Sequence, residues 1–168
     1  MKPFIGVILA AFLILPTLRH QEASMPTTQK QQLTRITPYF PVGDVEKSLR
    51  YYETVFGFQR EYAAGGPLEF AILSRDGHGI MLRRVPDPAK IVPNEKQGGS
   101  WDAFFWVTDA QALCDELKSK KANIVYGPII QESYHMKEFA VRDLNGYVLG
   151  FGQEWPARRI PSYGTIPE

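Results

Sequence analysis

Residues 36–57, ITPYFPVGDVEKSLRYYETVFG, read as a short strand, a helix start and a one-sided helix closed by glycine. Asp44 suits the N-cap, because its carboxylate accepts hydrogen bonds from the first unpaired backbone N–H groups of the helix that follows. Val45, Leu49, Tyr52 and Val55 or Phe56 recur at helical spacing and form one apolar stripe, and Gly57 tolerates a left-handed C-terminal turn. A helix that is apolar on one side must lie on a sheet or on another helix.

Residues 103–123 repeat this plan. Phe104, Phe105, Trp106 and Val107 supply the strand, Thr108 and Asp109 the caps, and Ala110, Leu113 and Leu117 the buried stripe. Gln111 is placed to complete a capping box with Thr108. Each helix is followed by three strand-like runs, the last two joined at Asp76-Gly77 in the first half and at Asn145-Gly146 in the second. Both dipeptides favour the positive backbone angles of a two-residue hairpin. Two copies of strand, helix, strand, strand, strand are therefore expected, an α+β architecture.

The chain has 168 residues, 44% of them hydrophobic, enough for a substantial core in one domain or two fused half-domains. Its formal net charge is +1. Acids and bases are interspersed, which argues against a nucleic-acid face. The densest basic run, Lys118 to Lys121, falls in the last turn of the second helix, where cations oppose the negative dipole end. Cys114 is the single cysteine and lies near the apolar stripe, so it reads as an inert buried thiol with no disulfide partner in the chain.

Lys2 followed by the apolar run 4–18 suits the h-region of a secretory signal, although residues 21–24 offer no clean cleavage pattern. Residues 1–24 are thus expected to be a signal-like or anchor segment outside the fold, with export or membrane anchoring as the consequence. If Met25 is the true first residue, a cytoplasmic location follows instead. Residues 25–33 read as a linker. The first module, 34–85, has expected strands at 35–42, 58–63, 68–74 and 78–85. A proline-rich joint follows at 86–99. The second module, 100–153, has expected strands at 101–107, 124–126, 134–142 and 147–153, and the tail 154–168 is too proline-broken for regular structure.

The segment from Ile36 to Asp44, with Tyr51-Tyr52 and Phe56-Gly57-Phe58, and the segment from Phe139 to Tyr147 resemble the glyoxalase, bleomycin-resistance and extradiol-dioxygenase group, the vicinal oxygen chelate superfamily. The resemblance covers residues 34–153. It implies paired βαβββ modules that form an eight-stranded cup-shaped mixed sheet with helices outside, often completed as a homodimer, with a small-molecule site in the concavity. Metal-dependent members carry one ligand near the start of the first strand of each module and another on the last strand. Those positions hold Thr37 and Ala103, and Met81 and Gly150, which do not supply the imidazole or carboxylate that a divalent ion needs. No metal and no cofactor is implied.

If those positions face the cup, period-two alternation brings Tyr39 in with Thr37, Arg83 with Met81, and Trp101 and Phe105 with Ala103, while Gly150 and Gly152 leave floor space. Such a lining suits a planar or hydrophobic ligand carrying an anionic group. The pattern alone does not separate this face from the helix-packing face, on which the aromatics would fill core volume and Arg83 would point to solvent. His135 is expected to begin a strand and reach the bound molecule, whereas His78 belongs to a hairpin turn. The resulting expectation is a metal-independent small-molecule binding protein of the glyoxalase/bleomycin-resistance type, sequestering a toxic or antibiotic compound. The alternatives are a lyase, isomerase or dioxygenase using Glu69, Asp102, His135 or Glu138, and an interaction module on an exported anchor.

Overall fold

The computed structural model describes residues 32 and 34–156. The signal-like segment 1–24, almost all of the linker and the tail beyond Pro156 lie outside the described residues. Within 34–156 the chain forms β1 (Tyr39–Val42), α1 (Val45–Thr54), β2 (Gln59–Ala64), β3 (Phe70–Arg75) and β4 (His78–Arg84). Two short 3-10 turns follow at Pro88–Lys90 and Asn94–Gln97. The second set is β5 (Ala103–Trp106), α2 (Ala110–Ser119), β6 (Asn123–Gln131), β7 (Met136–Arg142) and β8 (Val148–Glu154). Among the described residues no helix is long and apolar enough to cross a membrane.

The eight strands divide into two four-stranded mixed sheets, ordered β1-β4-β3-β2 and β5-β8-β7-β6. In each, the strand before the helix runs parallel to the last strand of its module, and the other pairs are antiparallel. The apolar stripe of α1 (Val45, Leu49, Tyr52) and that of α2 (Ala110, Cys114, Leu117) join the inner faces of both sheets in one hydrophobic cluster. The other face of each sheet therefore points away from this shared core.

Local chemistry sets the helix starts. Asp44 Oδ1 accepts from Lys47 N at 3.0 Å and Asp109 Oδ1 accepts from Ala112 N at 3.0 Å. The expected capping box does not form: with Asp109 as the cap, Gln111 is one position early and donates instead to the Asp115 carboxylate. Asp76 and Gly77 both take positive φ, 52° and 80°, as a two-residue hairpin requires. At the second hairpin only Gly146 does, at φ 90°. The Asp143 carboxylate holds that turn by accepting from Asn145 N at 2.8 Å and Tyr147 N at 2.9 Å.

Strand β6 is much longer than the expected 124–126. Gly127-Pro128 reads as a breaker, yet the strand absorbs it through bulges on either side of Tyr126. A Cβ on Gly127 would lie 2.5 Å from the Glu138 carbonyl oxygen, so glycine is required by the close approach of β7. His135 sits in the turn before β7 with φ 56°, not on a strand as expected.

Candidate functional site

The open face of the first sheet follows the expected alternation. Phe40, Val42, Ile80 and Leu82 are buried in the core, and Tyr39 and Met81 are paired on the opposite face. Thr37 stands beside them, its Oγ1 3.4 Å from the position of a Cβ on Gly79. Arg83 is half-exposed, 3.8 Å from the Glu69 carboxylate, and lies beside Phe70 in the ladder. Tyr62, from β2, extends the face and packs 6.2 Å from the Phe70 ring. Tyr39 and Tyr62 remain 53% and 54% exposed.

In the second module the expected register is one residue out. Ala103 and Phe105 pack against the core, Phe105 stacking on Phe151 at 5.3 Å and meeting Phe58 of the first module at 6.4 Å. Phe104 is the residue beside Gly150, and with Trp101 and Trp106 it forms the aromatic side of the open face. The run from Ala103 to Trp106 is apolar throughout, so the sequence contains no alternation to choose between the two faces. Gly150 and Gly152 do not leave floor space either. A Cβ on Gly150 would lie 2.6 Å from the Phe104 ring and 2.9 Å from Trp101, and one on Gly152 would lie 2.5 Å from Met136 Cε. The glycines admit those side chains into the sheet surface.

Under this aromatic layer lies Glu138, on β7 opposite Gly152 and only 1% exposed. Its Oε1 accepts from the Tyr126 hydroxyl at 3.1 Å and from the Tyr134 hydroxyl at 3.0 Å. The Trp101 indole N–H in turn donates to the Tyr126 hydroxyl at 2.9 Å. Burial, opposed by the Trp101 bond and reinforced by the Glu138 charge, pushes the Tyr126 phenol up to about 12, so that it remains a donor. Glu138 Oε2 is buried and has no hydrogen-bond partner among the described residues. Sequence reasoning missed Tyr126 because alternation from Ile124 places it in the core, and a bulge turns it to the open face.

His135 is exposed and lines a recess of about 190 Å³ at the rim of this layer, with Trp106, Tyr134 and Trp155. A larger cleft, about 470 Å³, lies between the modules, with Phe56, Phe58, Phe105 and Phe151 in its walls. Its polar rim is internally matched. Arg75 donates to the Phe56 carbonyl at 2.6 Å and to the Glu116 carboxylate at 3.0 Å, so the cleft reads as the seam between modules.

The inherited metal positions do not fit a divalent ion. The ladder sets Met81 opposite Tyr39, Gly150 opposite Phe104 and Ala103 opposite Leu149, and none of these side chains is a hard or borderline donor suited to zinc, iron or magnesium. Among the described residues no three His, Cys, Asp or Glu side chains are grouped to hold a metal ion. The acid/base candidates do not converge. Glu69 belongs to the first module beside Arg83, while both Asp102 oxygens accept backbone N–H groups, from Asn94 at 2.8 Å and Val148 at 2.7 Å.

Residues 32–151 match the Glyoxalase/Bleomycin resistance protein/Dioxygenase superfamily. The chain belongs to this superfamily. No curated protein matches it in sequence. Among solved structures, TioX from Micromonospora sp. ML1 is similar at TM-score 0.59 and 22% identity, over 72% of this chain and 98% of TioX. The bleomycin-binding protein from Streptomyces verticillus, solved with copper(II)-bleomycin, is similar at TM-score 0.55 and 22% identity, over 72% of this chain and 96% of that one. The bleomycin resistance determinant encoded on the transposon Tn5 gives TM-score 0.57 and 20% identity, over 73% and 99% of the two chains. At these identities the likeness is one of fold, and it extends over nearly the whole length of each of these three structures.

Proposed function

We propose that the protein is a metal-independent small-molecule binding protein that sequesters an aromatic or antibiotic-like compound. The observation that carries this reading is the pair of open sheet faces, each turned away from the shared core and each lined by solvent-exposed aromatic side chains. Tyr39, Tyr62, Trp106 and Tyr134 stay between 49% and 67% exposed. Large aromatic surface of this kind is stabilised when a ligand or a second protein covers it.

Because the two faces point apart, one chain does not enclose a cup. A second copy related by a two-fold axis sets the first-module face of one chain opposite the second-module face of the other, twice over. The proposed lining therefore combines Thr37, Tyr39, Met81 and Arg83 from one subunit with Trp101 and Phe104, both packed over Gly150, from its partner, and His135 at the rim. Ala103 and Phe105 support this lining from the core side. The bleomycin-binding protein among the structural neighbours favours the same reading. The scattered positions of Glu69, Asp102 and His135 give a lyase, isomerase or dioxygenase no comparable support.

The test is titration of the full chain with planar aromatic compounds, following tryptophan fluorescence, alongside light scattering. Saturable quenching at two ligands per dimer is expected. Absence of any saturable binding would overturn the reading.

A further inference from the structure

The Glu138 site narrows the class of ligand, on the premise that the open faces bind small molecules. A carboxylate at 1% exposure with one oxygen satisfied twice and the other not at all is an arrangement that folding alone does not favour. Nothing in the packing of the second module demands an acid here. The neighbouring face residues on β7, Met136 and Ala140, are apolar, and a leucine or methionine in place of Glu138 removes a buried unpartnered charge.

Its surroundings are specific. Tyr126 and Tyr134 both hold Oε1 and so aim the carboxyl group, while Trp101 fixes Tyr126 from behind. Phe104, Trp101 and Tyr134 offer ring faces in the same layer. No Lys or Arg nitrogen comes within 4.0 Å of Glu138 among the described residues. An aromatic layer around an uncompensated carboxylate is chemically complementary to a planar cation, which gains both ring stacking and a charge-assisted hydrogen bond.

We infer that Glu138 Oε2 is the anchor for a protonated nitrogen on a planar organic cation seated on the second-module open face. Tyr134 is the gate to it. That residue is 49% exposed, belongs to the turn before β7, and is tied to the carboxylate through a hydroxyl at 3.0 Å. The anionic ligand group expected from Arg83 belongs to the other sheet. A cup built from both faces suits a ligand cationic at one end and anionic or neutral at the other.

The experiment compares three acridines of one ring system at neutral pH: proflavine, a cation; acridine, neutral; and acridine-9-carboxylate, an anion. Each is titrated into the full chain and into Glu138→Gln, with tryptophan quenching as the readout and the melting temperature as a control. The glutamine keeps the tyrosine hydrogen bonds through its carbonyl oxygen, so an unchanged or raised melting temperature is expected. Glu138→Met is read in the same way if the glutamine variant does not fold.

Proflavine is expected to bind at least about tenfold more tightly than acridine, and Glu138→Gln to abolish that preference. Equal binding of all three acridines, or a preference unaltered in the variant, overturns the assignment of Glu138 and leaves the small-molecule reading standing. Quenching by none of the three overturns the open faces as binding surfaces, and the anchor with them.

Discussion

Tyr52 and Asp143 form a buried polar contact between the modules. Tyr52 is fully buried on α1, and its hydroxyl donates to Asp143 Oδ2 at 3.1 Å. Asn145, held by the same carboxylate, reaches back to Ser48 Oγ at 3.0 Å and accepts from Gly43 N at 3.3 Å. Burial drives the Tyr52 phenol well above its ordinary value, with the Asp143 charge adding to the effect, so the hydroxyl stays protonated as a donor. Tyr52→Phe should cost about 1 kcal/mol in urea unfolding, since Asp143 keeps its backbone donors. Asp143→Ala strips the turn and strands the Tyr52 hydroxyl, and about 2–4 kcal/mol is expected. A second test concerns Gly150, where a methyl group would strike both Phe104 and Trp101. Gly150→Ala should destabilise by about 1–3 kcal/mol and blunt tryptophan quenching by bound aromatics. A variant with native stability and native quenching would show that the aromatic layer repacks freely.

Between elements, the Arg75–Glu116 pair ties the β3–β4 hairpin to α2 across the seam. Arg75, with Lys120 adding to it, holds the Glu116 carboxyl below its ordinary value of 4.5. A depressed acid contributes stability that is present above its unfolded value and lost as pH falls through the folded one. Asp143 works in the opposite sense. Burial raises its carboxyl despite the hydrogen bonds it accepts, so its contribution is largest below 3.8 and declines as pH rises through the raised value. Because the Arg75–Glu116 pair is about a third exposed, Glu116→Gln should cost only about 0.5 kcal/mol near neutral pH, and the difference from the parent should shrink as pH falls below 4.5 through the lowered folded value. A difference that persists in acid would contradict the pairing. This layer of the structure was largely readable beforehand. Asp44 and Asp109 are residues with one strong local use, and Gly57 and Gly77 take the positive φ their positions implied. What alternation hid was decided by tertiary contact. The bulges of β6 reverse the direction of Tyr126, and the unbroken apolar run of β5 left Phe104 and Phe105 indistinguishable. Glu138 was visible as an acid within a strand, but its burial depends on rings contributed by β5 and β6.

For the whole molecule, the decisive quantity is how the two outward faces are covered. The shared core takes up most of the inner faces, with Phe151 stacked on Phe105 and Phe139 at 5.3 and 5.0 Å. The open faces retain edge strands β1 and β5, each with one side of its backbone unpaired in its sheet. Exposed Tyr39 and Trp106 on these faces favour association with a second chain. A homodimer in micromolar solution is therefore expected by light scattering, with a melting temperature that rises with protein concentration. Trp106→Glu places a charge in this surface, where it must be desolvated on association. It should shift the protein toward monomer and weaken aromatic ligands at least about tenfold together, because cup and dimer share the same residues. A monomeric variant that still binds tightly would confine the site to a single face, and so place the whole of recognition on the layer around Glu138.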